Sequence, residues 1–214
     1  STYLLFLSAL LTLTSFAHNE PWTASRPDGH APISVMGDHM HAMGEWMVSY
    51  RYMTMDMKGL LKGSDDVTTN SQIGTMMMPG DYMMVPTEMF MDMHMFGAMY
   101  AISDQWTLMC MLNYLDNEMT MINRMGVTSK METSGISDLK FGGLYDLARW
   151  EDGRRAHLSL GLSAPTGSID EKSETNTVGY GMQLGSGTWD FHPAITYLGQ
   201  TENYSYGAQL GGVL

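Results

Sequence analysis

Methionine is the residue type most able to do chemistry in this sequence. The chain of 214 residues has 24 methionines and one cysteine, and all but one of the methionines lie between Met36 and Met131. A thioether is a soft, neutral ligand that favours Cu(I) or Ag(I) over Zn(II), Ca(II) or Mg(II). A single cysteine excludes an internal disulfide framework and any thiolate-rich zinc or iron-sulfur site. Soft-metal chemistry would therefore depend on thioether and imidazole groups.

Three short clusters bring such groups together. The first lies in an arm rich in Pro, Gly, His and Asp, where imidazole could hold Cu(II) and thioether Cu(I). The second is a run of methionines in a loop, and the third alternates Met with His. The predicted metal ligands are His30, Met36, His39, Met40, His41 and Met43 in the first cluster, Met76, Met77 and Met78 in the second, and Met93, His94 and Met95 in the third.

Copper is the metal we expect at these ligands, and no motif indicates an organic cofactor. No Ser/His/Asp or Cys/His arrangement occurs at a usable spacing, so the sequence does not predict an enzyme. The net charge is -12, the pI is near 4.7, and no stretch gathers enough Lys or Arg to neutralise a row of phosphates. We therefore expect no nucleic-acid partner.

Period-2 alternation dominates the chain after residue 44 and predicts β-strands. In Glu45 to Met57 and in Met89 to Tyr100, aromatic and apolar residues prevail at even positions, and Met prevails at odd ones. The same alternation continues from Trp106. Four further segments alternate, at 139–147, 155–164, 188–198 and 204–214. Turns are predicted at 102–105, 129–134 and 151–153, and a polar loop at 165–177.

These segments number about seven, and several are longer than the five or six residues of an average strand. A strand needs about 9 to 11 residues to cross an outer membrane, and one of its sides must be apolar. The sheet must close into a barrel, because lipid tolerates no unpaired sheet edge. The predicted fold is all-β, an antiparallel up-and-down transmembrane β-barrel, incomplete and with about seven strands present. A secreted β-sandwich is the alternative fold.

The N-terminal region predicts export. Leu4 to Phe16 is apolar but shorter than the roughly 20 residues that a membrane helix needs, and small residues flank Phe16 as a signal peptidase requires. We expect a signal peptide at 1–17, a His/Met-rich arm at 18–44, and a β-barrel domain at 45–214 that is truncated at its C-terminus. The expected location is a bacterial-type outer membrane, with its lipid as a partner.

Strand parity predicts which face of the sheet the methionine side chains occupy. If the aromatic and leucine side of each strand faces lipid, the methionine side faces the interior of the barrel. The concentration of Met in one half of the chain and on one parity argues against a simple packing role. The residues predicted to line the lumen are Met47, Met53, Met55, Met57, Met89, Met91, Met109, Met111, Met119 and Met121.

Several stretches resemble a known family. His30-Ala-Pro-Ile-Ser-Val-Met-Gly-Asp-His-Met-His41, followed by Gly44-Glu-Trp-Met47 and Ser49-Tyr-Arg-Tyr-Met53, is similar to the N-terminal signature of Met-rich outer-membrane proteins. These proteins are related to the transporter family of the phenol-degradation meta-pathway. Asp138-Leu-Lys140, Ser159 to Ser168 and Gln183 to Asp190 resemble later motifs of that family. The resemblance implies an outer-membrane barrel with a transport role, and it leaves the substrate open.

The leading functional hypothesis is an outer-membrane barrel that binds or passes soft metal ions, chiefly copper. Weak, repeated ligands suit passage, since a solute must leave each site as readily as it enters. One alternative is a channel for small hydrophobic or aromatic compounds, with Met, Phe and Tyr forming the path. The other alternative is a secreted β-protein that sequesters copper without a pore. Oligomeric state is left open.

Overall fold

The computed structural model describes residues 6–9, 35–74, 78, 80–173, 176–200 and 205–214. Strands account for most of these residues, and the sheet is antiparallel and curled into a half-barrel. The fold class predicted from the sequence is therefore confirmed as all-β with β-barrel character. Within the described residues, no helix is long and apolar enough to cross a membrane.

One nine-stranded sheet forms the wall. Its strands are β1 (Phe6–Ala9), β2 (Trp46–Lys58), β5 (Met84–Ser103), β6 (Trp106–Asn123), β7 (Thr128–Ile136), β8 (Leu139–Arg149), β9 (Arg155–Ala164), β12 (Asp190–Gln200) and β13 (Ser205–Gly211). The other described elements lie in the connections: β3 (Leu60–Lys62), β4 (Asp65–Val67), α1 (Thr69–Ile73), β10 (Lys172–Ser173), β11 (Asn176–Thr177) and a 3-10 turn (Tyr180–Met182).

The order of strands across the sheet is β1-β13-β12-β9-β8-β6-β5-β2, so that from β2 onward the long strands follow one another as a meander. β7 and β8 pair with successive parts of β6, and together they act as one strand interrupted at Ser137 and Asp138. At one end of the sheet, the turn end, the connections after β5 and β8 are tight. At the other, the loop end, two long connections span 59–83 and 165–189. Alternating short turns and long loops are typical of up-and-down barrels.

The strands predicted from alternation are confirmed, with ends shifted by a few residues. The predicted turns at 102–105 and 151–153 are present between β5 and β6 and between β8 and β9. The predicted turn at 129–134 is wrong, because these residues belong to β7 and pair with β6. The signal peptide stays a prediction; of its residues, the structure describes Phe6–Ala9, which pair with β13.

The convex face of the sheet is an apolar band near the turn end and is charged near the loop end. On β6 the outward residues run from Trp106 through Leu108, Cys110 and Leu112 to Tyr114, and then change to acidic residues. Trp106 to Tyr114 covers about 27 Å along the strand, or about 20 Å if the strands tilt by about 40°. Beyond the band, ion pairs join Lys130 to Glu118 at 2.6 Å and Lys58 to Glu88 at 2.7 Å.

The segment from Val35 to His41 lies inside the concave face near the turn end. Its backbone meets three strands: His157 Nε2 donates to Gly37 O at 2.7 Å, Gln209 Nε2 donates to Met36 O at 3.1 Å, and His41 N donates to Thr107 Oγ1 at 3.2 Å. Gly37 has a φ of +63°, and a Cβ there would lie 3.1 Å from Leu144 Cδ2. A side chain at this position would therefore be strained and crowded.

Candidate functional site

The concave faces of β2, β5, β6 and β7 form a methionine-lined surface, here called the thioether wall. Near the loop end, Met57, Met89, Met119 and Met131 are opposite one another on four adjacent strands. We call these residues the loop-end row. Directly opposed residues have Cβ atoms about 4.5 to 5.5 Å apart, so flexible thioether side chains of one row can converge. The row could thus offer several sulfur ligands to one soft ion.

A loop covers this row. Met182, in the 3-10 turn of the connection 165–189, is fully buried and forms a hydrophobic cluster with Met89 and Val178. Met91, Met119 and Met131 pack against that cluster. Thr133 Oγ1 on β7 donates to the Met182 carbonyl at 2.7 Å and fixes the turn over the wall. Thioethers from three strands and one loop are therefore in contact.

A second row lies at the turn end. Met47 is opposite Met99, and Met99 is opposite Met109, which places three methionines on β2, β5 and β6. We call these residues the turn-end row. Between the two rows, β5 carries Met91, Met93 and Met95 at alternate positions on the same parity. Alternate residues of a strand are about 7 Å apart, so the wall has closely spaced thioethers along its length.

The arm brings two imidazoles near the turn-end row. His39 and His41 are buried, and their ring centroids lie 4.9 Å apart in an edge-to-face arrangement. Asp38 Oδ1 is 2.8 Å from His39 Nδ1, and Glu45 Oε2 is 3.5 Å from His41 Nδ1. The sulfur of Met109 is 3.9 Å from where a Cβ on Gly37 would stand. Imidazole and thioether groups thus occupy the same end of the concave face.

The ten methionines predicted to line the lumen all occupy the concave parity of their strands. Met89 is buried, whereas Met55 and Met57, at the end of β2, are 38% and 36% exposed. In the arm, the Arg51 guanidinium donates a hydrogen bond to the Met36 sulfur, and Met40 is partly buried. The roles of these residues as ligands stay predictions.

The third predicted cluster is separated by the fold. His94 lies on the convex face, where Tyr50 Oη is 2.8 Å from its Nδ1, while Met93 and Met95 have the opposite parity. One ion could not reach His94 and its two neighbours, so this cluster is corrected to two concave methionines. Met43 and Met78 are exposed, at 70% and 79%. His30, Met76 and Met77 lie outside the described residues.

The structure adds two residues to the candidate site, Met131 and Met182. Met131 was placed in a predicted turn, although Met131 and Thr133 alternate with Lys130 and Glu132, and this alternation was the signal for a strand. Met182 stands alone in a Gly-rich connection, where no periodicity could show that it folds back onto β6 and β7. Only the tertiary contacts of the loop assign it to the row.

The strands of the other half of the concave face, β8, β9, β12 and β13, contain no methionine. We call this half the polar wall, although the buried Leu144 and Leu198 also belong to it. Its polar residues include Lys140, His157, Ser159, Ser163, His192, Thr196 and Gln209. Among the described residues, no group of three or more His, Cys, Asp or Glu could hold a metal ion.

Asp138, at the break between β7 and β8, fastens both ends of the covering loop. Its Oδ1 accepts from Gly167 N at 2.8 Å, and its Oδ2 accepts from Ser186 N at 2.7 Å and Ser186 Oγ at 2.8 Å. Burial raises the pKa of this carboxyl group, but the hydrogen bonds from Ser186 and Gly167 outweigh burial and hold the pKa below its ordinary value. The ionised carboxylate is thus the form that holds the loop.

The fold and the site together define the class: an all-β antiparallel half-barrel whose concave face is thioether on one side and polar on the other. No protein-family model matches the chain, and no curated protein matches its sequence.

Proposed function

We propose that this chain is an outer-membrane β-barrel protein that binds and passes soft metal ions, chiefly copper, along its thioether wall. The observation that carries the proposal is the register of the methionines: four strands present a loop-end row, and three of them present a turn-end row, on the same face. Soft thioether ligands select Cu(I). Placement in a transporter-like outer-membrane family, suggested by the sequence motifs, is part of this proposal.

The membrane part of the proposal is supported by the convex face. Large apolar side chains are exposed there on every long strand from β2 to β13, among them Val48, Phe96, Leu112, Ile195 and Leu210. A soluble monomer rarely exposes so large an apolar surface. Aromatic contacts lie at the turn-end edge of the band, with Trp46 and Tyr100 at 4.6 Å and Trp106 and Tyr145 at 4.9 Å between ring centroids. Such girdles flank the apolar band of outer-membrane barrels.

The passage part is supported by the spacing of the ligands. Thioethers are neutral, so each site binds without losing a proton, and an ion can exchange between neighbouring sites. Methionines at alternate positions of β5 connect the loop-end row to the turn-end row. A path of repeated, similar sites lets an ion leave each position as readily as it enters.

The test uses the full chain in lipid vesicles, with Ag(I) as an air-stable probe and anaerobic Cu(I) as the second metal. Affinity is measured by competition with a chromophoric chelator. We expect binding that falls at least about tenfold when Met89 and Met119 are both replaced by Leu, because two ligands of one row are lost. Met125→Leu is the matched control, since this methionine is 71% exposed in the turn after β6.

Absence of Ag(I) and Cu(I) binding by the wild-type protein would refute the metal proposal. Entry of small aromatic compounds into the vesicles in that case would favour the hydrophobic channel. Recovery of the protein in the soluble periplasmic fraction, with metal binding intact, would instead favour the secreted copper-sequestering protein and end the barrel proposal.

A further inference from the structure

We propose that the described residues of the connection after β9, 165–173 and 176–189, form a lid that closes the loop-end methionine row, with Met182 as the ligand it delivers and Asp138 as the latch that holds it shut. This inference rests on the proposed function and adds a gate to the same site. It concerns a residue and a loop that the strand pattern does not assign to the site.

The connection has the form of a compact loop with a narrow neck. Gly167 and Ser186, near its two ends, bond to the two oxygens of one carboxylate, that of Asp138. The neck is so close that a Cβ on Gly167 would lie 2.8 Å from the backbone of Gly185. Loops whose ends meet and whose interior is packed by their own side chains are compact and frequently functional.

The interior of the loop turns toward the thioether wall. Val178, Met182 and Leu184 are buried, whereas Ile169 and Tyr180 remain exposed. Gln183 holds the loop in shape, since its Oε1 accepts from Glu171 N at 3.0 Å and its Nε2 donates to Val178 O at 3.0 Å. The described part of the loop is thus held in shape by hydrogen bonds of its own.

Among the described residues, side-chain hydrogen bonds attach the loop to the wall at two places. One is Asp138 and its neighbour, where Leu139 N donates to Thr166 Oγ1 at 2.9 Å; the other is the bond from Thr133 Oγ1 to the Met182 carbonyl at 2.7 Å. Loss of the hydrogen bonds to Asp138 and Leu139 would free the neck of the loop. The attachment at Met182 is one hydrogen bond, close to the methionine cluster. A structure of this kind can open by rotation about its neck and expose the row beneath.

Closing the lid changes the number of thioether ligands around the bound metal ion. In the open state, the row supplies only strand methionines, which line one side of an ion. In the closed state, Met182 adds a sulfur from the opposite side and excludes water, and soft ions bind more tightly with a fuller set of thioether ligands. The lid therefore sets how long an ion stays in the row, and opening releases it.

The test compares Met182→Leu and Asp138→Asn, singly and together, in the full chain in vesicles with Ag(I) as the metal. We expect Met182→Leu to lower Ag(I) affinity about tenfold, because one ligand is lost while side-chain volume is kept. We expect Asp138→Asn to speed Ag(I) dissociation into excess chelator. The amide NH2 group of Asn cannot accept the hydrogen bonds that one carboxylate oxygen of Asp138 accepts, so the neck of the loop is weakened.

The double variant is the decisive measurement. If the latch acts through Met182, Asp138→Asn has little further effect on Ag(I) dissociation in the Met182→Leu background. Asp170→Asn is the matched control, since this exposed loop carboxylate accepts from Ser168 and does not hold the neck. An unchanged affinity in Met182→Leu, or equal acceleration by Asp138→Asn in both backgrounds, would overturn the lid.

The failure of the lid and the failure of the proposed function are distinguishable. Loss of Ag(I) binding in the variant with Met89→Leu and Met119→Leu, combined with normal binding in Met182→Leu, would overturn the lid and leave metal binding by the row in place. Absence of binding by the wild-type protein would overturn both.

Discussion

The two halves of the concave face differ in chemistry although they belong to one sheet and share the same strand geometry. The thioether wall, on β2, β5, β6 and β7, carries methionines, whose thioethers are soft ligands and weak hydrogen-bond acceptors. The polar wall, on β8, β9, β12 and β13, carries side chains that bond to the arm, as His157 does to Gly37 and Gln209 to Met36. Under the proposed function, one wall supplies the metal ligands and the other holds the arm.

This division explains why the arm lies where it does. The arm segment needs hydrogen-bond partners for its irregular backbone, because it forms no strand and is largely buried. His157 and Gln209 of the polar wall supply two such partners, and Thr107 on β6 supplies a third. A thioether is a weak acceptor and no donor, so methionine side chains alone could not do so. The following four predictions test this division, in order of decreasing effect on the free energy of unfolding.

The largest effect is expected from Leu144→Ala. Leu144 is fully buried on β8, beneath Gly37 of the arm. The substitution leaves a cavity and should lower the free energy of unfolding by about 2 to 5 kcal/mol, measured by urea denaturation with tryptophan fluorescence. Ag(I) binding at the loop-end row should be unchanged. Leu162→Ala, on the convex face and 38% exposed, is the control and should cost less. Equal losses in both would contradict a structural role for the polar wall.

A smaller effect is expected from His157→Leu. His157 is 2% exposed and donates to the Gly37 carbonyl, so its loss leaves a buried acceptor without its donor. The expected cost is about 1 to 3 kcal/mol, with faster proteolysis of the segment 35–41. His192→Leu is the control on the same wall, because its Nε2 has no hydrogen-bond partner among the described residues. His157→Leu should lower the free energy of unfolding more than His192→Leu does. The same loss of stability in both variants would contradict an anchoring role for His157.

Sequence alone predicted the wall but not what lies against it. The alternation in Glu45 to Met57, in Met89 to Tyr100 and from Trp106 onward identified the strands and the face that their methionines share, because the period of a strand is a local property. The loop-end row also needs register between strands. The short turn between β5 and β6 fixes the register of that pair, whereas β2 and β5 are joined by the long connection 59–83 and their register has no local signal.

The arm and the lid were beyond prediction for the same physical reason. Residues 35–41 have no periodicity, and their burial comes from contacts with side chains such as Leu144 and His157, more than 100 positions away in the sequence. Met182 likewise joins the row through a neck fastened by Asp138. A carboxylate between two strands looks like an ordinary exposed turn residue in the sequence, and only its three hydrogen-bond donors reveal its role.

The third prediction concerns the effect of low pH on the loop that covers the thioether wall. Because the pKa of Asp138 in the folded protein is below its ordinary value of 3.8, its contribution to stability is complete at pH values above 3.8 and is lost as pH falls through the folded pKa. Hydrogen exchange in residues 165–189 should therefore rise in strong acid while β8 and β9 stay protected. Asp138→Asn should exchange rapidly at neutral pH. A wild-type loop that stays protected in strong acid would contradict the latch.

The smallest effect on stability is expected within the turn-end row. Met99 is 8% exposed on β5 and opposite two other methionines, and Met99→Leu keeps its volume, so the free energy of unfolding should change by less than about 1.5 kcal/mol. The number of Ag(I) ions bound should nevertheless fall, as judged by mass spectrometry of the loaded protein. Leu115→Met is the reverse change on the same wall and should be equally mild without reducing that number. If methionine were only a packing residue, both variants would bind as the wild type does, and the two walls would differ in polarity alone.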